Sequence, residues 1–176
     1  MTDDFQGPLE THLTFAAGDA ASLERLGEFA AAIGWKLLHI QLACGETPMQ
    51  PMLSQRCNGS LVAALQTAAT IQRLARGKEL TCVRTKIEAT PHATGVPQTY
   101  DECSAQTDDR YFEHHIKVLL PAGFVEAVWL HNLSQHGAHL SRNALRGATM
   151  EDSNASSLSD AMASGGVKLA LNCMRC

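Results

Sequence analysis

ETHLTFAA, residues 10–17, alternates polar and apolar side chains and reads as a strand with two unlike faces. Gly18 and Asp19 break the pattern, and Asp19 is a good helix N-cap. A helix then runs to Ile33, with Leu23, Leu26, Phe29, Ala30 and Ile33 on one stripe and Gly34 suited to the C′ position. Residues 35–43, WKLLHIQLA, read as a second strand. The opening is therefore a strand–helix–strand unit with tight connections.

The same reading extends along the chain. Residues 45–58, GETPMQPMLSQRCN, are expected to form a proline-bearing loop. A helix follows over 60–76, with Leu61, Leu65, Ala68 and Ala69 on its apolar side and Gly77 as its stop. Residues 80–89 form a third strand, and 91–110 lack periodicity, as a functional flap or a disordered loop would. Residues 111–120, YFEHHIKVLL, are a fourth strand. Pro121 opens a helix with Val125, Val128, Trp129 and Leu133 on its stripe, Gly137 ends it, and 138–144 form a short last strand. This predicts an α+β fold, an open-faced or bilobal sheet of βαβ–αβ–βαβ order with helices on one face and a polar opposite face. Residues 1–146 are expected to form one domain. The small, polar residues 147–176 are expected to form a weakly ordered tail, with a short helix or strand near Val167–Leu171.

Composition bounds the function. The chain has 176 residues, 45% of them hydrophobic, which suits one domain with a substantial core. Its formal net charge of −4 supplies no global positive field for nucleic acid or an anionic membrane. The acidic start, MTDDFQGPLE, lacks the apolar run of a signal peptide. No stretch reaches the roughly 18 apolar residues of a membrane span. A cytoplasmic protein without membrane association is expected. The cysteines at 44, 57, 82, 103, 173 and 176 are then expected to be reduced thiols. Cys173-Met174-Arg175-Cys176 is a lone CxxC without a partner pair, and Walker A, GxGxxG and GxSxG motifs are absent. No cofactor is implied, and the sequence is silent on oligomeric state.

Alternation along each strand sorts the side chains into two faces. Leu13 and Phe15, Val83 and Ile87, and Ile116 and Val118 belong to an apolar face. The other face is expected to collect His12, Thr14, His39, Gln41, Arg84, Lys86, Glu88, Glu113, His115, Lys117, His139 and Ser141. Solvated sheet faces favour Thr, Lys and Glu, so this many histidines is unusual, and histidine can donate, accept or ligate near neutral pH. His114 falls on the opposite side, as a core or helix-contact residue.

Two segments on that face share a pattern. His12-Leu13-Thr14-Phe15 and His139-Leu140-Ser141-Arg142 both read His–apolar–hydroxyl. This resembles the paired motifs of the two-histidine phosphoesterase superfamily, which includes RNA 2′,3′-cyclic phosphodiesterases and 2′-5′ RNA ligases. The resemblance implies a bilobal sheet with one motif from each half, His12 and His139 as catalytic base and acid, and Thr14 and Ser141 as phosphate-binding hydroxyls. It implies a small phosphorylated molecule or an RNA end as partner, and metal-independent phosphodiester chemistry. Independently of it, Arg84, Lys86, His115 and Lys117 are candidates to bind substrate by offsetting phosphate charge. Two alternatives use the same face. One is a non-catalytic ligand- or protein-binding module. The other is a metal-dependent enzyme with ligands drawn from His12, His39, Glu88, Glu113 and His115.

Overall fold

The computed structural model describes residues 5–43, 47–105, 110–118, 133, 135, 138–143, 145 and 167–172. The chain divides into two compact units. The first comprises residues 1–38 and 50–105, the second 39–49 and 106–176. The architecture is α+β.

The first unit opens with β1 (Gln6–Ala16), α1 (Ala20–Ile33) and the start of β2 (Lys36–Leu42). The expected caps are in place. Asp19 Oδ1 accepts from the Ser22 N–H at 2.7 Å, and Gly34 turns the chain at φ 70°, where a Cβ would be strained. β3 (Met49–Ser60) follows, then α2 (Leu61–Arg76) and β4 (Thr81–Ala89). In space the strands run β4-β1-β3-β2, with β1 antiparallel to both β3 and β4. This is the split βαβ arrangement, in which the helices cover one sheet face.

β3 corrects the expected loop at 45–58. Its prolines had argued against a strand, but Pro51 lies beyond Met52, the last residue of the ladder with β1. Its apolar content is thin, and buried Leu53, paired with Leu13, supplies the packing. α2 is rotated from the expected stripe. Ala64, Ala68, Ile71 and Ala75 are buried, whereas Leu65 and Ala69 are exposed. Small residues at that spacing let the helix approach the sheet closely. Residues 91–110 hold more structure than expected. Thr94 exchanges backbone hydrogen bonds with Gln6, and α3 (Tyr100–Ser104) starts on a capping box between Thr99 and Glu102.

The core of the first unit joins Leu13 and Phe15 of β1 and Leu53 of β3 to Leu26 and Phe29 of α1 and Ile71 of α2. Trp35, just before β2, belongs to the same cluster and Leu37 of β2 packs against it, so both lie on the helix side. Cys103 is disulfide-bonded, whereas Cys57 and Cys82 are free. The expectation of reduced thiols therefore fails at Cys103, because spacing along the chain does not determine which cysteine Cβ atoms meet.

The second unit contains β5 (Glu113–Val118), β6 (Ala138–Asn143) and β7 (Val167–Asn172), with β6 pairing the end of β2. β7 lies between β5 and β6, antiparallel to both. The stretch of the expected tail near Val167–Leu171 is thus a central strand. Asn143 Oδ1 accepts from the His39 N–H at 3.1 Å and from the Leu145 N–H at 3.2 Å, fastening the end of β6 to β2. The helix expected from Pro121 lies outside the described residues. Among the described residues no helix is long and apolar enough to cross a membrane.

Leu13 is fully buried at the centre of the first unit's core. Leu13→Ala should cost about 2–5 kcal/mol of stability. Val83 is 58% exposed, and Val83→Ala should stay within about 0.5 kcal/mol of wild type. Urea unfolding midpoints check both.

Candidate functional site: a histidine between two carboxylates

The face of the first unit's sheet away from the helices carries three rows that are polar except for Met52. Directly paired residues in antiparallel strands share a face. The first row is Glu88, Glu10 and Arg56, the second Lys86, His12 and Ser54, the third Arg84, Thr14 and Met52. The expected residues of this unit, His12, Thr14, Arg84 and Lys86, therefore fall in two adjacent rows. Ser54 and Arg56 escaped the sequence reading because β3 was taken as a loop. The one signal for them is a weak alternation around Leu53, with Ser54 and Arg56 in step.

His12 is the centre of this face, its side chain only 14% exposed. Its Nε2 lies 3.6 Å from Glu88 Oε2 and 3.9 Å from Glu10 Oε1. Each carboxylate has further partners. Ser54 Oγ donates to Glu10 Oε1 at 2.7 Å and Arg56 Nε donates to Glu10 Oε2 at 2.9 Å. The Lys86 ammonium meets Glu88 Oε1 as a charge contact without an aligned hydrogen bond. Burial pushes both carboxyls up, but their partners outweigh it. Ser54, Arg56 and His12 hold Glu10 below its ordinary value of 4.5, and His12 and Lys86 hold Glu88 far below it. Nε2 is the ring nitrogen that faces both carboxylates. His12 Nδ1, by contrast, is buried without a hydrogen-bond partner in the protein, a position that folded chains seldom leave unfilled. Chemically, the cluster can hold one imidazole in a fixed orientation.

Thr14 is 6% exposed, so its hydroxyl is a buried neighbour of His12, while Arg84 is exposed.

The second unit arranges its candidates in the same way. His115 and His139 both pair with Ala170, and Lys117 and Ser141 both pair with Lys168. These rows lie on one face, two residues apart along each strand. His115 Nε2 is 3.1 Å from Glu113 Oε2 on the same strand. The opposite face carries Ile116, Val118, Leu140, Val167, Leu169 and Leu171 by register.

Two placements differ from expectation. Leu42 pairs with Ser141 and Gln41 with Arg142, so Gln41 and His39 occupy the face opposite His139 and Ser141. β2 is apolar on both sides, so alternation alone had no polarity from which to choose a face. This also separates His39 from His115 in the ligand set considered for a metal. His114 shares the apolar register face with Leu171 and Ala138 as expected, but its side chain is exposed rather than part of a core.

No known family, curated protein or solved structure matches the chain.

The depressed carboxyls of Glu10 and Glu88 give a signed prediction. Their folded values lie below the unfolded value, so their contribution is present above about pH 4.5 and is lost as pH falls through the folded values. Glu88→Gln should therefore lose less stability than wild type between about pH 6 and pH 3. Equal falls in the urea midpoint would contradict the geometry.

Proposed function

We propose that the protein is a metal-independent phosphodiesterase acting on a cyclic or 2′-5′ phosphodiester. One repeated observation supports this reading. In each unit a histidine and a hydroxyl two residues on share a sheet face with basic residues in their own rows. His12 and Thr14 pair with Lys86 and Arg84, and His139 and Ser141 share rows with His115 and Lys117 across the intervening β7. The repeat fits the resemblance to the two-histidine phosphoesterases.

The chemistry needs one group to take a proton and another to give one. In hydrolysis of a 2′,3′-cyclic ester, one histidine takes a proton from water as the water oxygen bonds to phosphorus. The bond from phosphorus to the 2′ or 3′ oxygen breaks, and that oxygen takes a proton from the other histidine. His12 and His139 fill these roles in the proposal. Thr14 and Ser141 bind phosphate oxygens, and Arg84, Lys86, His115 and Lys117 offset the charge that accumulates on them. Glu88 and Glu10 orient His12. The partner is a small phosphorylated molecule or an RNA end.

The competing reading is a non-catalytic ligand- or protein-binding face. It is favoured by the pairing of Lys86 with Glu88 and of Arg56 with Glu10, which leaves less positive charge beside His12 for an anion.

Steady-state assays on 2′,3′-cyclic nucleotides and 2′-5′ dinucleotides decide between them. Wild type should turn over at least one class, and His12→Ala or His139→Ala should lower kcat by about 10²–10⁴-fold. Absence of turnover in wild type, or full activity in the double variant, would overturn the proposal.

A further inference from the structure

β4 ends the strand order, so among the described residues no strand pairs with its outer side. The Thr90 N–H donates to the Pro8 carbonyl at 3.2 Å, which fixes the phase of the ladder. Arg84, Lys86 and Glu88, paired with Thr14, His12 and Glu10, share that phase and turn their backbone N–H and C=O groups toward β1. Thr85, Ile87 and Ala89 therefore turn theirs outward. None of these outward groups has a partner among the described residues. Val83 is passed over where the register shifts between Thr14 and Phe15, and Pro91 follows Thr90. The regular, proline-free edge thus runs over residues 84–90. An open edge of this kind is a template for another strand.

We infer that β4 pairs antiparallel with β4 of a second copy of this chain, about a twofold axis at Ile87. The charge order selects this occupant and this register. Keeping both polar faces on one side requires the axis to lie at a residue rather than between two. An axis at Arg84, Lys86 or Glu88 would oppose that residue to its own copy, and one at Thr85 would oppose Arg84 to the partner's Lys86. Like charges directly opposed are destabilising. With the axis at Ile87, Lys86 faces the partner's Glu88 and Glu88 faces the partner's Lys86. Arg84 meets the partner's Thr90, so the whole stretch 84–90 is used. The outward groups of Thr85, Ile87 and Ala89 meet those of the partner's Ala89, Ile87 and Thr85, closing roughly six backbone hydrogen bonds. Lys86 already contacts Glu88 within the chain, so the four side chains form a square of alternating charge. The pairing also extends the rows around His12. The row Arg56, Glu10, Glu88 sets two carboxylates side by side, and the partner's Lys86 ends it. The partner's Glu88 ends the row Ser54, His12, Lys86. An unrelated strand would have to match this charge order, which the chain supplies by itself.

Sedimentation velocity of the full chain over a concentration series tests the dimer, in a Cys57→Ser background that removes disulfide exchange through the exposed free thiol. This parent should show a monomer–dimer equilibrium. Thr85→Pro deletes one outward N–H per chain and leaves the bonds to β1, so it should weaken the dimer by about tenfold or more. Thr85→Val keeps that N–H and should dimerise within a few-fold of the parent. Carbodiimide coupling of an equal mixture of ¹⁴N- and ¹⁵N-labelled chains reads the register with β4 unaltered, and so decides the case even where Thr85→Pro fails to fold. It should join Lys86 of one chain to Glu88 of the other in mixed-isotope peptides. A parent that stays monomeric at every concentration leaves the edge to a strand of another protein and overturns the second copy. A dimer unchanged in Thr85→Pro, equal weakening in Thr85→Val, or mixed-isotope links that set another residue opposite Lys86 would each overturn the pairing.

Discussion

The first unit depends on the register of β1 against its two neighbours. Leu13 pairs with Leu53, and one residue away His12 pairs with Ser54 and Lys86. Side chains alternate with a period of two, so a one-residue slip would exchange the faces. It would drive Glu10, His12 and Thr14 under the helices and lift Leu13 and Phe15 into the polar rows. Burying unpaired charges and exposing core side chains both cost several kcal/mol, so the core holds the register. The polar rows follow from it. The hydrophobic pairing of Leu13 with Leu53 is thus what places His12 between two carboxylates.

Charge is handled differently in the two units. In the first, the cations near His12 have acidic partners. Arg56 meets Glu10 and Lys86 meets Glu88, and the imidazole lies against both carboxylates. These contacts differ in weight. Arg56 is 84% exposed, so its ion pair contributes little to stability, whereas the Lys86, Glu88 and His12 contacts sit on half-buried side chains where solvent screens less. In the second unit the register opposes two lysines in a row that ends on Ser141. A balanced cluster suits holding a histidine in one orientation.

Much of this was legible in the sequence where alternation was sharp. ETHLTFAA placed β1, its polar side and its exit into a capped helix. Residues 80–89 placed Arg84, Lys86 and Glu88 on the face of His12. What escaped had physical causes. β3 carries two prolines within or beside it and little apolar alternation, so Ser54 and Arg56 looked like loop residues. β2 is apolar on both sides, so its face was chosen wrongly for His39 and Gln41. β7 is preceded by a long polar stretch, and nothing local reveals that Lys168 will be carried between β5 and β6. Register is a property of pairs of strands, and a single strand's pattern does not contain it.

The central claim is that the polar rows around His12 and His139 contact a phosphate-bearing ligand. Histidine side-chain ¹⁵N NMR tests it most directly, recorded with and without a nucleoside 2′-monophosphate. The account predicts that the imidazole resonances of His12 and His139 each shift saturably, while those of His39 and of the exposed His92 stay in place. Shifts confined to His39 or His92, or no shift at His12 at saturating ligand, would contradict it.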